Sequence, residues 1–348
     1  LVVFTVPYLA LQPLAAGAVL HQLFGLPPWA GAVAVTVVIV LYTLRGGMRA
    51  VAWTDALQGA LMLVLMLLAL GMVVRFYGGW TPAFSAVAAQ DPGLFSRPGL
   101  QQTYTPAIWF SFLALWFFCD PMFPQLFQRF YAAGREKTLA RLALLYPAIC
   151  TVVFAPPVLV GVLGHLSFPA LAGKEADGVF AMVVALAGGE YAGTMVLIAG
   201  LAALMSTMDS QLLTLSSIVS RDLWPLFSGG RVAGVLVARV FVLALAAAGL
   251  LVALTTDATI LDLGVSAFTG LAVLFPSVFF GLYLRQPRSS AALASIVSGE
   301  ALVVASHLGL LPSFGFLSAL PAMVCSVVVY LAVHLLTGPA GLPRVTRR

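Results

Sequence analysis

Ten apolar runs, each close to the length that crosses a bilayer, leave this chain few folds to choose from. A helix needs about 20 residues to span roughly 30 Å of hydrocarbon. Runs of that order cover residues 1–23, 28–44, 51–74, 106–130, 138–163, 191–219, 232–254, 258–284, 290–308 and 314–336. No soluble interior hides so much apolar side chain: of 348 residues, 61% are hydrophobic and 8% charged, with a mean hydropathy of +1.06. Lipid must take the place of a protein core, because a helix buried in it satisfies its own backbone. An all-α polytopic membrane protein follows, with the lipid bilayer as its first partner.

Charge supplies orientation, not a partner. The net charge of +5 and pI near 9.3 come from basic residues scattered over short loops, so no nucleic-acid face is expected. One set of loops holds Arg45 and Arg49; Arg129, Arg135, Lys137 and Arg141; Arg221 and Arg231; Arg285 and Arg288; and Arg344, Arg347 and Arg348. The other set holds Arg75, Arg97 and Lys174 beside Asp91, Glu175, Asp177, Glu190 and Asp257. The two alternate across all ten spans, so the positive-inside rule makes the first set cytoplasmic and puts both ends of this chain there. Leu1 already stands inside an apolar run, and the chain is therefore expected to begin downstream of a true N-terminus.

Two runs are interrupted by proline. In the fourth, WFFCDPMFPQLFQRF, Pro121 cannot donate to the carbonyl of Phe117 nor Pro124 to that of Asp120. The residue before each proline is pushed toward extended backbone, so the helix is expected to break there. Freed carbonyls and a carboxylate at that depth belong beside a cavity or inside protein; an ordinary kink satisfied by neighbouring helices is the alternative. In the fifth run Pro156 and Pro157 read as a kink.

Ionisable residues inside the runs are functional candidates, since burying one unpaired costs several kcal/mol. They are Asp55, Asp120, Asp209, Arg239, Asp262 and Glu300. Asp55 lies about 9 Å of helix past Arg49, within reach of a loop arginine, whereas Asp209 lies about 18 Å from Arg221, near the midplane. Asp262 and Glu300 fit either helix ends or a pathway, and Arg239 can snorkel to the surface. Cys119, Cys150 and Cys325 read as packing residues without metal spacing. His21, His165, His307 and His334 are scattered and no phosphate loop follows a strand, so no enzyme is expected.

The run around residues 200–224, GLAALMSTMDSQLLTLSSIVSRDLW, is the most polar at depth. At about 100° per residue, with Ser206 at zero, Ser210 falls near +40°, Ala203 near +60°, Thr207 near +100° and Asp209 near −60°. One face thus offers hydroxyls and a small residue with a reachable carbonyl, the neutral oxygens that suit an alkali cation. Close helix packing with hydrogen bonds across the interface is the other reading.

Two long motifs then point to a family. Gly46-Gly47-Met48-Arg49-Ala50-Val51-Ala52-Trp53-Thr54-Asp55-Ala56-Leu57-Gln58-Gly59 resembles a signature segment of the sodium:solute symporters. Residues 202–213, AALMSTMDSQLL, with Ser216-Ser217 and Arg221-Asp222-Leu223, resemble a second one. Tyr8, Leu11 and Gln12 in the first run and Gln128-Arg129-Phe130 in the broken one also fit, so the likeness runs nearly end to end.

The resemblance implies the LeuT-type inverted-repeat fold of five plus five helices, with the site between broken helices at mid-membrane. It implies one transmembrane transporter domain over 1–348, with core helices 3 to 10 in 1–284, two additional helices in 289–337 and a cytoplasmic tail in 338–348. Core helices 1 and 2 have no counterpart, so this chain alone is expected not to transport. The implied function is sodium-coupled symport of a small organic solute at the plasma membrane, with proton coupling or a membrane sensor module as alternatives. The resemblance assigns sodium to the hydroxyls of Ser206 and Thr207 and the carbonyl of Ala203. Relatives with a second cation site point to Asp55, Asp209 and Ser210, where a carboxylate at Asp209 replaces a hydroxyl. Gln12, Trp116, Cys119, Asp120 and Ser266 are the expected solute contacts.

Overall fold

Proline and threonine set several helix starts before packing does. Pro28, Pro106 and Pro124 each open a helix where a missing N–H costs nothing. Thr105 Oγ1 caps its helix by accepting from Ile108 N at 3.3 Å, and Thr259 Oγ1 accepts from Asp262 N at 3.1 Å. The computed structural model describes residues 1–99, 102–312 and 315–337; the tail 338–348 and Phe314, the first residue of the last expected span, lie outside the described residues.

The order is α1 (Val2–Phe24), α2 (Pro28–Phe76), α3 (Trp80–Gln90), α4 (Pro106–Cys119), α5 (Pro124–Ala132), α6 (Glu136–Gly164), α7 (Val179–Gly188), α8 (Glu190–Ile218), α9 (Trp224–Phe227), α10 (Val235–Thr255), α11 (Ile260–Ala272), α12 (Phe275–Tyr283), α13 (Ser289–His307) and α14 (Ala319–Leu336). Among the described residues nine helices are long and apolar enough to cross a membrane, and α4 with α5, bent by 50°, makes ten. The expected number of spans is met.

Three details differ from expectation. The second and third spans, Pro28–Arg49 and Val51–Phe76, are joined without a loop: α2 is two helices that meet at a kink at Gly47, whose φ of 67° and ψ of 177° glycine alone takes without strain. The linkers 75–105 and 164–190 are not bare loops but hold α3 and α7. Asp120 keeps helical angles (φ −54°, ψ −50°) although Pro121 follows it, because a tight turn closes from Phe123 N to Asp120 O at 3.3 Å. The extended residue is Phe123, at ψ 120° before Pro124.

Packing gathers the spans into three apolar clusters. Leu9, Ile39, Met208, Leu212 and Leu245 join α1, α2, α8 and α10. Leu11, Leu115, Phe123, Leu271 and Met323 join α1, α4, α11 and α14 around the break. Val73, Val160, Leu163 and Val183 join α2, α6 and α7. Close approach in lipid depends on small residues: a Cβ on Gly17 would stand 2.4 Å from Pro28 O, where α1 meets the start of α2. The first two clusters fix α1, α8 and the break around one open space.

Candidate transport site

That space is a cavity of about 910 Å³ walled by α1, the α4–α5 break, α6, α8 and α11. The break exists because Pro121 and Pro124 remove two donors within one turn, and the bend aims α5 back across α8. Asp120 stands at the bend, where its Oδ2 accepts from Tyr146 Oη on α6 at 2.9 Å. Four aromatic rings form the apolar wall: Tyr8 lies 5.0 Å from Phe123 and 4.9 Å from Phe268, and Trp116 lies 5.1 Å from Phe268.

Opposite them α8 presents a polar stripe. The hydroxyls of Ser206 and Thr207 both donate to Ala203 O, at 2.8 and 3.1 Å, so three oxygens converge within one turn. One turn on, Ser210 Oγ donates to Asp55 Oδ2 of α2 at 3.0 Å and accepts from Arg129 Nη2 of α5 at 2.7 Å. Arg129 also pairs directly with Asp55. Below it Thr214 Oγ1 donates to Gln128 Oε1 at 2.6 Å.

Asp209 is a different case. It is fully buried, and the Tyr42 hydroxyl and Ser210 lie beside its carboxylate without completing a well-aligned hydrogen bond to it; the Tyr42 hydroxyl donates to Met205 O at 3.3 Å. Gln211, also fully buried, has neither amide atom bonded.

Of the residues expected at the site, Asp55, Trp116, Asp120, Ser206, Thr207 and Ser210 line this cavity. Gln12 does not: it is buried and its Nε2 turns back to Tyr8 O on its own helix, at 3.3 Å. Cys119 is fully buried in the cluster around the break, and Ser266 is half-buried; neither lines the cavity. Tyr8, Arg129, Tyr146 and Phe268 line it without having been expected as contacts. Arg129 carried a signal, an arginine one turn beyond Pro124 on a helix with one apolar face. Asp262 is a helix-end residue, its Oδ2 accepting from the Thr259 cap at 2.7 Å.

A proline-broken span facing a polar helix across an open cavity between spans defines the class: a multi-pass helical carrier with its site between spans. A family model for sodium:solute symporters matches residues 1–299. A sodium/proline symporter of Staphylococcus aureus (strain bovine RF122 / ET3-1) is 29% identical, over 98% of this chain and 69% of its own length. The osmoregulated proline transporter OpuE of Bacillus subtilis (strain 168) is 28% identical, over 97% and 69%. A solved structure, the substrate-bound outward-open state of a Na+-coupled sialic acid symporter, superposes with a TM-score of 0.75 at 18% identity, covering 97% of this chain and 73% of that one. The fold is thus the LeuT type. The chain belongs to the sodium:solute symporter family, and is a membrane transporter coupled to sodium rather than an enzyme.

Proposed function

We propose that the protein takes up a small zwitterionic solute of the proline class, with sodium held by the Ser206 and Thr207 hydroxyls and the Ala203 carbonyl. The observation that carries this reading is the convergence of those three oxygens at the cavity edge. Neutral oxygens within one helical turn can replace part of an alkali ion's water shell without a full countercharge, so the ion can both enter and leave. Trp116 and Asp120 face the same cavity and are the solute contacts we retain; the aromatic wall suits an apolar ring, and the bend's carboxylate suits an amine. The names of the bacterial relatives support the choice of solute. Residues 1–348 act as one transport domain in the plasma membrane, with the arginine-rich loops on the cytoplasmic side.

The test is uptake of labelled L-proline by proteoliposomes of the full-length protein under an inward sodium gradient. Ser206→Ala and Thr207→Ala each remove one ligand to a charged species and should raise half-saturating sodium about tenfold or more. Uptake indifferent to the gradient, or to both substitutions, would sink the sodium assignment. Sodium-driven uptake of another amino acid but not of proline would overturn only the solute.

A further inference from the structure

The arginines at the end of the chain have no acid to pair with. Residues 263–348 hold five arginines against one carboxylate, Glu300, and twelve residues separate it from Arg288, about 18 Å along α13. Arg285 and Arg288 stand in the turn between α12 and α13, and among the described residues neither forms an ion pair. Arg288 reaches instead to the end of α14, where its Nη1 donates to Thr337 Oγ1. His334 lies three residues earlier, on the same face of that helix. Neither basic side chain is satisfied: Arg288 Nε and His334 Nδ1 are shut off from solvent with no bonded partner. Only the outer nitrogens of these half-buried side chains remain to meet a ligand.

The position is held in place and faces lipid. The His334 ring lies 6.1 Å from that of Tyr330, which is fully buried, and Tyr330 stacks at 4.7 Å on Phe280 of α12. Three spans end here, where a bilayer presents its headgroups, and the neighbouring Leu282, Tyr283, Leu335 and Leu336 are 66–84% exposed. We propose that Arg288 and His334 hold the phosphate of an acidic glycerophospholipid, whose acyl chains lie over those apolar side chains. Charge-assisted bonds from Arg288 Nη2 and His334 Nε2–H supply the anion's contacts. The lipid's net charge balances an arginine that the protein leaves uncompensated. A zwitterionic headgroup brings its own cation beside the guanidinium and cancels that gain. Neither residue lines the transport cavity, so the site is separate from the sodium and solute positions.

The test is native mass spectrometry of the full-length protein, released from an uncharged detergent and titrated with lipid. The wild type should retain phosphatidylglycerol about tenfold or more tightly than phosphatidylcholine. Arg288→Gln, which keeps amide donors but no charge, should cut that preference to about threefold or less, and His334→Phe, which keeps the ring stack but no donor, should fall between the two. Arg231→Gln, on the loop between α9 and α10, should leave the preference unchanged. Equal retention of the two lipids by the wild type overturns the proposal whether or not any variant folds, and an undiminished preference in a folded Arg288→Gln overturns it as well. An equal loss in Arg231→Gln also overturns it, since any surface arginine would then serve. If free glycerol 3-phosphate displaces the lipid at matching concentration, the site belongs to soluble phosphate and the lipid assignment fails.

Discussion

The middle of the cavity-facing stripe of α8 and its two flanks are built on opposite terms. Ser206, Thr207, Ser210 and Thr214, which fall between about 0° and +100° around the helix, all have partners. Asp209 and Gln211, near −60° and +140° on the same scale, are fully buried, and the neighbours beside them, Tyr42 and Ser210 for Asp209 and Tyr8 for Gln211, complete no well-aligned hydrogen bond to their side chains. The chemistry of the groups explains the difference. A hydroxyl can satisfy itself on the carbonyl one turn back, so it survives in an apolar helix at little cost and is free to exchange that bond for an ion. A carboxylate or a primary amide has no such fallback, and burying it bare costs free energy that nothing local returns.

The flanks are therefore where substitution should stabilise, and the largest effect is expected at Asp209. Asp209→Thr replaces the acid at nearly constant volume by a hydroxyl that can bond the carbonyl one turn back, and should raise stability by about 2 kcal/mol, read as a higher unfolding midpoint in detergent. Because this side chain is not among those lining the transport cavity, sodium binding should stay within about threefold, well under 1.4 kcal/mol. A loss of sodium binding without a gain in stability would break the contrast, by making Asp209 a ligand.

A paired change sharpens it. Gln211→Leu replaces two unbonded amide atoms by methyl groups of similar volume and should stabilise by about 1 kcal/mol. Thr214→Val, isosteric and within four residues on the same helix, strips the bond to Gln128 Oε1 and should destabilise by about 1 kcal/mol. Like signs for the two variants would mean that the stripe and its flanks share one environment.

These residues also show what a sequence can and cannot disclose. Hydropathy over 20-residue windows fixes the spans, because lipid acts on each one locally, and Pro121 with Pro124 announces the break for the same reason. The polar stripe was legible because hydroxyls recur at helical spacing. Which wall a residue joins depends on neighbours that no single helix specifies. Gln12, Cys119 and Ser266 share polar chemistry with Ser206, yet α1, the end of α4 and α11 turn them away from the cavity. By sequence alone Arg129 is a loop charge, since it ends an apolar run; that its side chain reaches back to Asp55, 74 residues earlier, is tertiary information. Likewise α3 and α7 hide in linkers whose short apolar stretches resemble neither span nor loop.

An exposed acid provides the control for the buried one. Asp177 lies outside the spans, where its Oδ2 accepts from Ile260 N at 3.4 Å. Partial burial lifts its pKa above the ordinary carboxylate value, with Asp262 adding to the rise, against the Ile260 bond and Lys174, which lower it. The folded state then holds the Asp177 proton more tightly than the unfolded chain does. Stability from this group is greatest below the unfolded pKa and falls as pH rises through the folded one, so at neutral pH the ionised acid is a slight burden. Asp177→Asn keeps an acceptor for Ile260 N and removes that burden. The expected gain is below about 0.5 kcal/mol, because water screens an exposed group, and the small loss of stability between acid and neutral pH should vanish with it. Unfolding midpoints of the variant and the wild type at both pH values measure this. A gain at Asp177 as large as that at Asp209 would show that burial depth does not set the cost of a carboxylate in this fold.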